Sequence, residues 1–357
     1  LVFYVFIIGA VLTLIQQTGA INAFLFALIS RFQKKPRLLL FLVYMTIFSG
    51  SSFMGIGPET IALIPVFFLL SKRLDYDRLM GVGLLCIPLY LGWSSGVTNP
   101  FTVQIAQMIA ELPIGSGMGL RLIMFVAYAA LGFFFIMAYG NKIRTDPSLS
   151  LMKNDPFNLD EFGSFEQMNL ERKHIYILVF FVASYAAILF AVHTIGWSLI
   201  EMSACFIATV IVISWMSGMT ADETMASFTK GLEMMIVPAL VVGVARGISV
   251  VLQEGMIIDT LLYSASNVLL ELPRIVAAEG MLFFQTALNF FIPSASGQAL
   301  VSMPLMTPLS DILGLSRQTA VLAYILGDGI SNIIIPTNGV LMAMLGLAKV
   351  SLSLIHI

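Results

Sequence analysis

Long uncharged apolar runs separated by short polar stretches set the pattern of this sequence. Residues 122–139, 175–192 and 202–216 carry no charge, and a membrane-crossing helix needs roughly 20 apolar residues. Polar stretches interrupt the pattern at 31–37, 71–78, 111–119, 140–173, 217–230, 271–280 and 311–318. The longest, in the middle, holds Asp146-Pro147 and Asn154-Asp155-Pro156 among charges of both signs, and reads as an aqueous linker between two membrane halves.

Two apolar stretches, 38–49 and 61–70, are too short to cross alone, since about a dozen residues at 1.5 Å each cover only about half the hydrocarbon core. They flank Gly50-Ser51-Ser52-Phe53-Met54-Gly55-Ile56-Gly57-Pro58-Glu59, and a re-entrant helical hairpin over about 38–70 is expected. Residues 281–292 and 299–309 flank Pro293-Ser294-Ala295-Ser296-Gly297-Gln298 in the same way, giving a second hairpin at about 281–309. An ungapped shift of 239 positions lays one hairpin on the other. It pairs Pro65 with Pro304, Ser71 with Ser310, Arg78 with Arg317, Thr98 with Thr337 and Asn99 with Asn338, while Glu59 falls on Gln298. The same shift lays 18–36 on 257–275, each an amphipathic arm helix lying near an interface.

The expected fold is therefore an all-α polytopic membrane protein of two inverted repeats, each with a re-entrant hairpin and a broken transmembrane helix. The first repeat covers 1–140, with its broken helix at about 79–110 and a span at about 122–139; 141–173 is a cytoplasmic linker; the second repeat covers 174–350, with its broken helix at about 318–350. Charge supports opposite entry of the two repeats. With 31–37 cytoplasmic, all of the 18 Lys and Arg residues except Arg121, Arg274, Arg317 and the intramembrane Arg246 fall inside. The chain opens at Leu1 within an apolar run and its last segment, 351–357, reads as neither loop nor span. The expectation is a fragment lacking both ends, with a non-native tail.

Composition agrees with lipid as the solvent: 59% of residues are hydrophobic and 11% charged, against about 25% charged in soluble domains, and the mean hydropathy is +0.95. The net charge of -2 and the absence of a basic stripe set nucleic acid aside. Cys86 and Cys205 sit in apolar runs without metal-ligand spacing, and the three histidines form no HExxH. With no GxSxG elbow and no P-loop either, the sequence offers no catalytic, metal or nucleotide site, and an enzyme is not expected.

Backbone that leaves helical form in hydrocarbon must be buried in protein or line a wet cavity, so helix breaks mark candidate sites. Four are readable: the two hairpin tips and the runs 94–100 and 331–338. They place Ser51, Ser52, Thr98 and Asn99 in one half-site, and Ser294, Ser296, Gln298, Asn332, Thr337 and Asn338 in its partner. The bland alternative is close helix packing at small residues and kinking at Pro. Two intramembrane acids, Glu59 and Asp328, are candidates to hold a coupling cation, a proton or a cationic substrate group. Na+ near Asn99 and Asn338, or H+, is the candidate coupling ion, and no other cofactor is expected. Arg246 could meet a substrate carboxylate or pair with Glu254.

The strings Thr98-Asn99-Pro100-Phe101, Leu112-Pro113 with Ser116-Gly117 and Arg121, and Ile292-Pro293-Ser294-Ala295-Ser296-Gly297-Gln298-Ala299 resemble the four-carbon dicarboxylate anaerobic carrier family, in its YfcC-type branch. Met303-Pro304-Leu305-Met306, Gly327-Asp328-Gly329, Asn332 and Pro336-Thr337 are similar to the same branch. The resemblance implies the ion-transporter superfamily fold, homodimers and elevator-type alternating access. It also implies ion-coupled uptake or exchange of amino acids, the branch being regarded as basic amino acid antiporters, or of small carboxylates. The family commonly has two adjacent acids where this chain has Pro58-Glu59, so only Glu59 carries over. The expected protein is a secondary transporter of a small-molecule substrate in the cytoplasmic membrane of a bacterium. A passive channel and a non-transporting scaffold are the rival readings.

Overall fold

The computed structural model describes residues 2–32, 34–153, 169–195, 197, 199–236, 251, 254, 255, 260 and 272–356. Numbered along these residues, its helices are α1 (Val2–Gln17), α2 (Ala20–Phe32), α3 (Pro36–Ser49), α4 (Ile64–Arg73), α5 (Arg78–Ser95), α6 (Val103–Ile109), α7 (Met118–Thr145), α8 (Arg172–Ile195), α9 (Leu199–Ser217) and α10 (Ala221–Met234). After them come α11 (Arg274–Phe291), α12 (Ala295–Ile312), α13 (Arg317–Ser331), α14 (Gly339–Ala348) and α15 (Leu352–His356). Among the described residues four helical stretches are long and apolar enough to cross a membrane: Pro36–Met54, Met118–Thr145, Arg172–Ala191 and Ile200–Ser217. A fifth is formed if α1 and α2, bent by 49° at their junction, make one span. Most of the second arm helix, Arg246, and the side chains of Glu59 and His193 lie outside what the structure describes.

The chain divides into two compact units, Leu1–Val43 with Leu159–Val241, and Tyr44–Asn158 with Val242–Ile357. In the first, α1 packs on α9 and α10, and Tyr4, Phe206, Tyr185 and Phe181 form a run of neighbouring rings. A side chain at Gly231 would place its Cβ 2.5 Å from the Ala10 Cα, so α10 seats on α1 backbone to backbone. The polar stretch 217–230 is mostly the amphipathic α10. Its start is a capping box in which Thr220 and Glu223 satisfy each other's backbone N–H groups.

Acid should fray that start. The Glu223 carboxylate accepts from the Thr220 N–H at 2.8 Å and its hydroxyl at 3.0 Å, which hold it below the usual glutamate range. A lowered folded-state pKa contributes stability that is present above the unfolded-state value and lost as pH falls through the lowered one. Amide protection in the first turn of α10, corrected for intrinsic exchange, should fall below about pH 4, and Glu223→Gln should flatten that dependence.

The second unit holds the four helix breaks read from the sequence. α3 does not stop at Ser49 but continues as a π-turn through Gly50–Met54, making a 19-residue helical stretch of about 28 Å. That is longer than the short arm expected, because Ser51 and Ser52 are buried against α5 inside the unit and the backbone keeps turning to stay paired. Gly55–Gly57 then break the helix, and a 3-10 turn at Pro58–Leu63 leads into α4. α11 and α12 are also longer than expected, 18 residues each: residues 274–280, read as a polar boundary, join α11, and the break narrows to 292–294.

The two broken helices, α5–α6 and α13–α14, are tied by matching arginines. Arg78 opens α5 and donates to the carbonyl of Ala348, at the end of α14, at 3.2 Å. Arg317 opens α13 and donates to the carbonyl of Ala110, just past α6, at 3.0 Å. Each long half thus starts on the free carbonyl end of the other pair's short half, where a cation also complements the helix dipole.

Candidate functional site

The first break is built by donors that replace helical hydrogen bonds. The Ser52 hydroxyl pairs with that of Ser95 at 2.7 Å and accepts from the Val97 N–H at 3.2 Å. Thr98 donates its hydroxyl to the Phe53 carbonyl at 2.9 Å and its N–H to the Ser52 carbonyl at 3.3 Å. Asn99 donates to the Ser51 carbonyl at 3.1 Å and accepts from the Phe101 N–H at 2.9 Å. Gln104 donates to the Thr98 carbonyl at 2.8 Å, and Trp93 to the Ile56 carbonyl at 2.7 Å. Ser51, Ser52 and Asn99 have no exposed surface. The hairpin tip and the unwound run are therefore one hydrogen-bonded body. Gly55 makes room for it, with a positive φ of 72° and a virtual Cβ 2.7 Å from Asn99 Oδ1.

The second break repeats the device. Asn338 accepts from the N–H groups of Val340 and Leu341 at 3.0 and 3.1 Å, capping α14, and donates to Asn332 Oδ1 at 2.8 Å. Asn332 in turn donates to Asp328 Oδ1 at 3.1 Å. From α11, Asn289 donates to the Asp328 carbonyl at 3.1 Å and the Ser331 hydroxyl at 2.6 Å. Gln298 donates to the Gln285 carbonyl and side-chain oxygen, both at 2.8 Å, and Gln285 to the Ser302 hydroxyl at 2.9 Å.

The two networks meet where α13 crosses α5. Tyr90 of α5 donates to Asn338 Oδ1 at 3.3 Å. A Cβ on Gly329 would lie 2.6 Å from the Ser94 Cα and amide nitrogen, so only hydrogen fits between the helices there. Gly329→Ala should cost about 1–3 kcal/mol by overpacking, read as a lowered melting temperature of the purified protein.

Asp328 stands at this crossing with no exposed surface. One carboxylate oxygen takes the Asn332 bond and the other, Oδ2, has no partner; Asn289 Oδ1 and Gln298 Oε1 are likewise buried acceptors without donors. No basic side chain among the described residues pairs with Asp328. Of the other expected residues, Ser296 is buried, Ser294 half-buried at the start of α12, and Thr337 exposed. Sequence reasoning passed over Tyr90, Gln285 and Asn289. The two amides had a readable signal, since they sit four residues apart on one face of an otherwise apolar stretch.

A sequence profile of the C4-dicarboxylate anaerobic carriers matches residues 1–355. This chain belongs to that family. Among its carrier relatives is the Escherichia coli K12 protein named "Putative basic amino acid antiporter YfcC", 34% identical over 98% of this chain and 72% of its own length. An uncharacterized Haemophilus influenzae protein is 32% identical, over 96% of this chain and 68% of its own. Two solved structures share the fold at 15% identity. The YdaH transporter of Alcanivorax borkumensis superposes with a TM-score of 0.72 over 99% of this chain and 80% of that one. MtrF of Neisseria gonorrhoeae, described among antimetabolite efflux pumps, gives 0.66 over 98% and 74%. The carrier is thus a membrane protein of transporter fold.

Proposed function

We propose that this carrier is a secondary active transporter that moves an amino acid or small carboxylate through the second unit, coupled to a cation or proton. The observation that carries the reading is Asp328. A fully buried carboxylate with a free oxygen and no basic partner among the described residues is several kcal/mol out of balance, and a bound cation, a proton or a cationic substrate group restores it. The polar breaks around it supply backbone and amide oxygens of the kind that coordinate Na+ in discontinuous membrane helices.

Substrate choice follows from which charge Asp328 and Glu59 receive. The kinship with a protein named as a basic amino acid antiporter favours exchange of cationic amino acids, with a C4-dicarboxylate as the alternative. Homodimers and elevator-type alternating access, which the family resemblance implies, belong to the same proposal, as does a bacterial cytoplasmic membrane. Thermal unfolding of the purified protein against arginine, ornithine, lysine and succinate, with and without Na+ and across pH, tests it. A ligand at a hundredfold excess over its dissociation constant adds about 2.7 kcal/mol. Stabilisation by basic amino acids that Asp328→Asn or Glu59→Gln removes identifies a cationic substrate group. Stabilisation by Na+ or succinate that these variants remove makes the acids coupling residues. No stabilisation by any of these would count against the reading.

A further inference from the structure

Arg121 is the counterpart of Asp328: a buried charge without its partner. It lies in the first turn of α7 and is 3% exposed. Its Nε donates to the carbonyl of Val97, inside the first break, at 3.4 Å, and its Nη2 is buried with no partner. No carboxylate among the described residues pairs with it. A guanidinium held this way is costly to bury. The position is also the positive end of α7, where the helix dipole disfavours a cation and favours an anion. The head group lies close against Gly117, where an added Cβ would sit 3.2 Å from Arg121 Nη1 and 2.9 Å from Gln318 Oε1. Gln318 donates its amide to the Ser116 hydroxyl, and Gln107 donates to the Ser116 carbonyl and accepts from the Gly115 N–H; neither is hydrogen-bonded to Arg121, whose one bond among the described residues is to Val97. The same break holds Thr102, whose buried hydroxyl also has no partner.

We propose that Arg121 forms an anion subsite at the first helix break and takes a carboxylate group of the transported solute. The proposal rests on the transporter reading for the origin of that carboxylate. A planar guanidinium fork matches a carboxylate through two parallel N–H donors, which a lysine ammonium cannot reproduce. A free inorganic anion such as chloride is the other source of the same charge, and the test separates the two.

Wild type, Arg121→Lys and Arg121→Gln are purified and melted without ligand and with succinate, other dicarboxylates, arginine and lysine, the corresponding amides, and sodium chloride at matched Na+. At least one carboxylate should stabilise wild type saturably, its amide should bind at least about tenfold more weakly, Arg121→Lys should respond weakly and Arg121→Gln not at all. Ligand-free Arg121→Gln should melt no lower than wild type, because the variant removes an unpaired charge; a merely structural arginine would give the opposite. A carboxylate response retained by Arg121→Gln, a lower ligand-free melting temperature, or no carboxylate response in wild type overturns the proposal. Saturable stabilisation by chloride alone overturns the carboxylate assignment. Failure of the transporter reading looks different: carboxylate binding that depends on Arg121, with no gradient-driven uptake into vesicles by wild type.

Discussion

Asp328→Asn should abolish coupled transport while leaving the amount of protein in the membrane unchanged. The substitution keeps the volume and one acceptor oxygen for the Asn332 bond, so the fold of the break is retained. What it removes is the charge on the oxygen that has no partner. If that charge holds a cation or a cationic substrate group, its loss weakens binding by about 3 kcal/mol, roughly a hundredfold. Stability should move the other way, because a buried unpaired charge is replaced by a neutral group, and the ligand-free variant should melt at or above wild type. Low uptake together with a raised melting temperature marks a functional acid; low uptake with a lowered one marks a structural acid.

The double variant Asn99→Ala, Asn338→Ala should also lose uptake, for a different reason. Both asparagines use their side chains on the breaks themselves: each Oδ1 accepts a backbone N–H two residues on, and each Nδ2 ties its break to a neighbouring oxygen. They hold the breaks in their non-helical form. Removing the Asn338 cap alone should cost about 1 kcal/mol, and the pair more, since buried N–H groups are left unsatisfied. The variant should still insert, with a lower melting temperature and uptake near background. Full transport by the double variant would sink the assignment of the breaks to the site.

The breaks were legible in the sequence because hydrocarbon tolerates so little: a Gly, Pro, Ser or Asn cluster inside an apolar run has few uses. The unwound runs at 94–100 and 331–338 fall at the ends of α5 and α13 accordingly. Asp328 was legible for the same reason. Helix ends were less so. Ser51 and Ser52 look like a stop signal along the chain, yet the structure buries both against α5, and tertiary partners let a π-turn continue the helix. Residues 274–280 and 221–230 read only as polar interruptions of the apolar pattern, whereas an amphipathic helix accommodates their charges on one face. The burial of Arg121 was illegible, because a single arginine next to a polar stretch counts as a surface charge until its surroundings are known.

Central to this account is gradient-driven, saturable movement of a small solute. It is tested most directly by reconstituting the purified protein in liposomes and measuring uptake of radiolabelled arginine and succinate with imposed Na+, H+ and counter-substrate gradients. Uptake of one of them should saturate, rise with one of these gradients and be lost in Asp328→Asn. Flux that is non-saturating and indifferent to every gradient would contradict it and point to a passive channel.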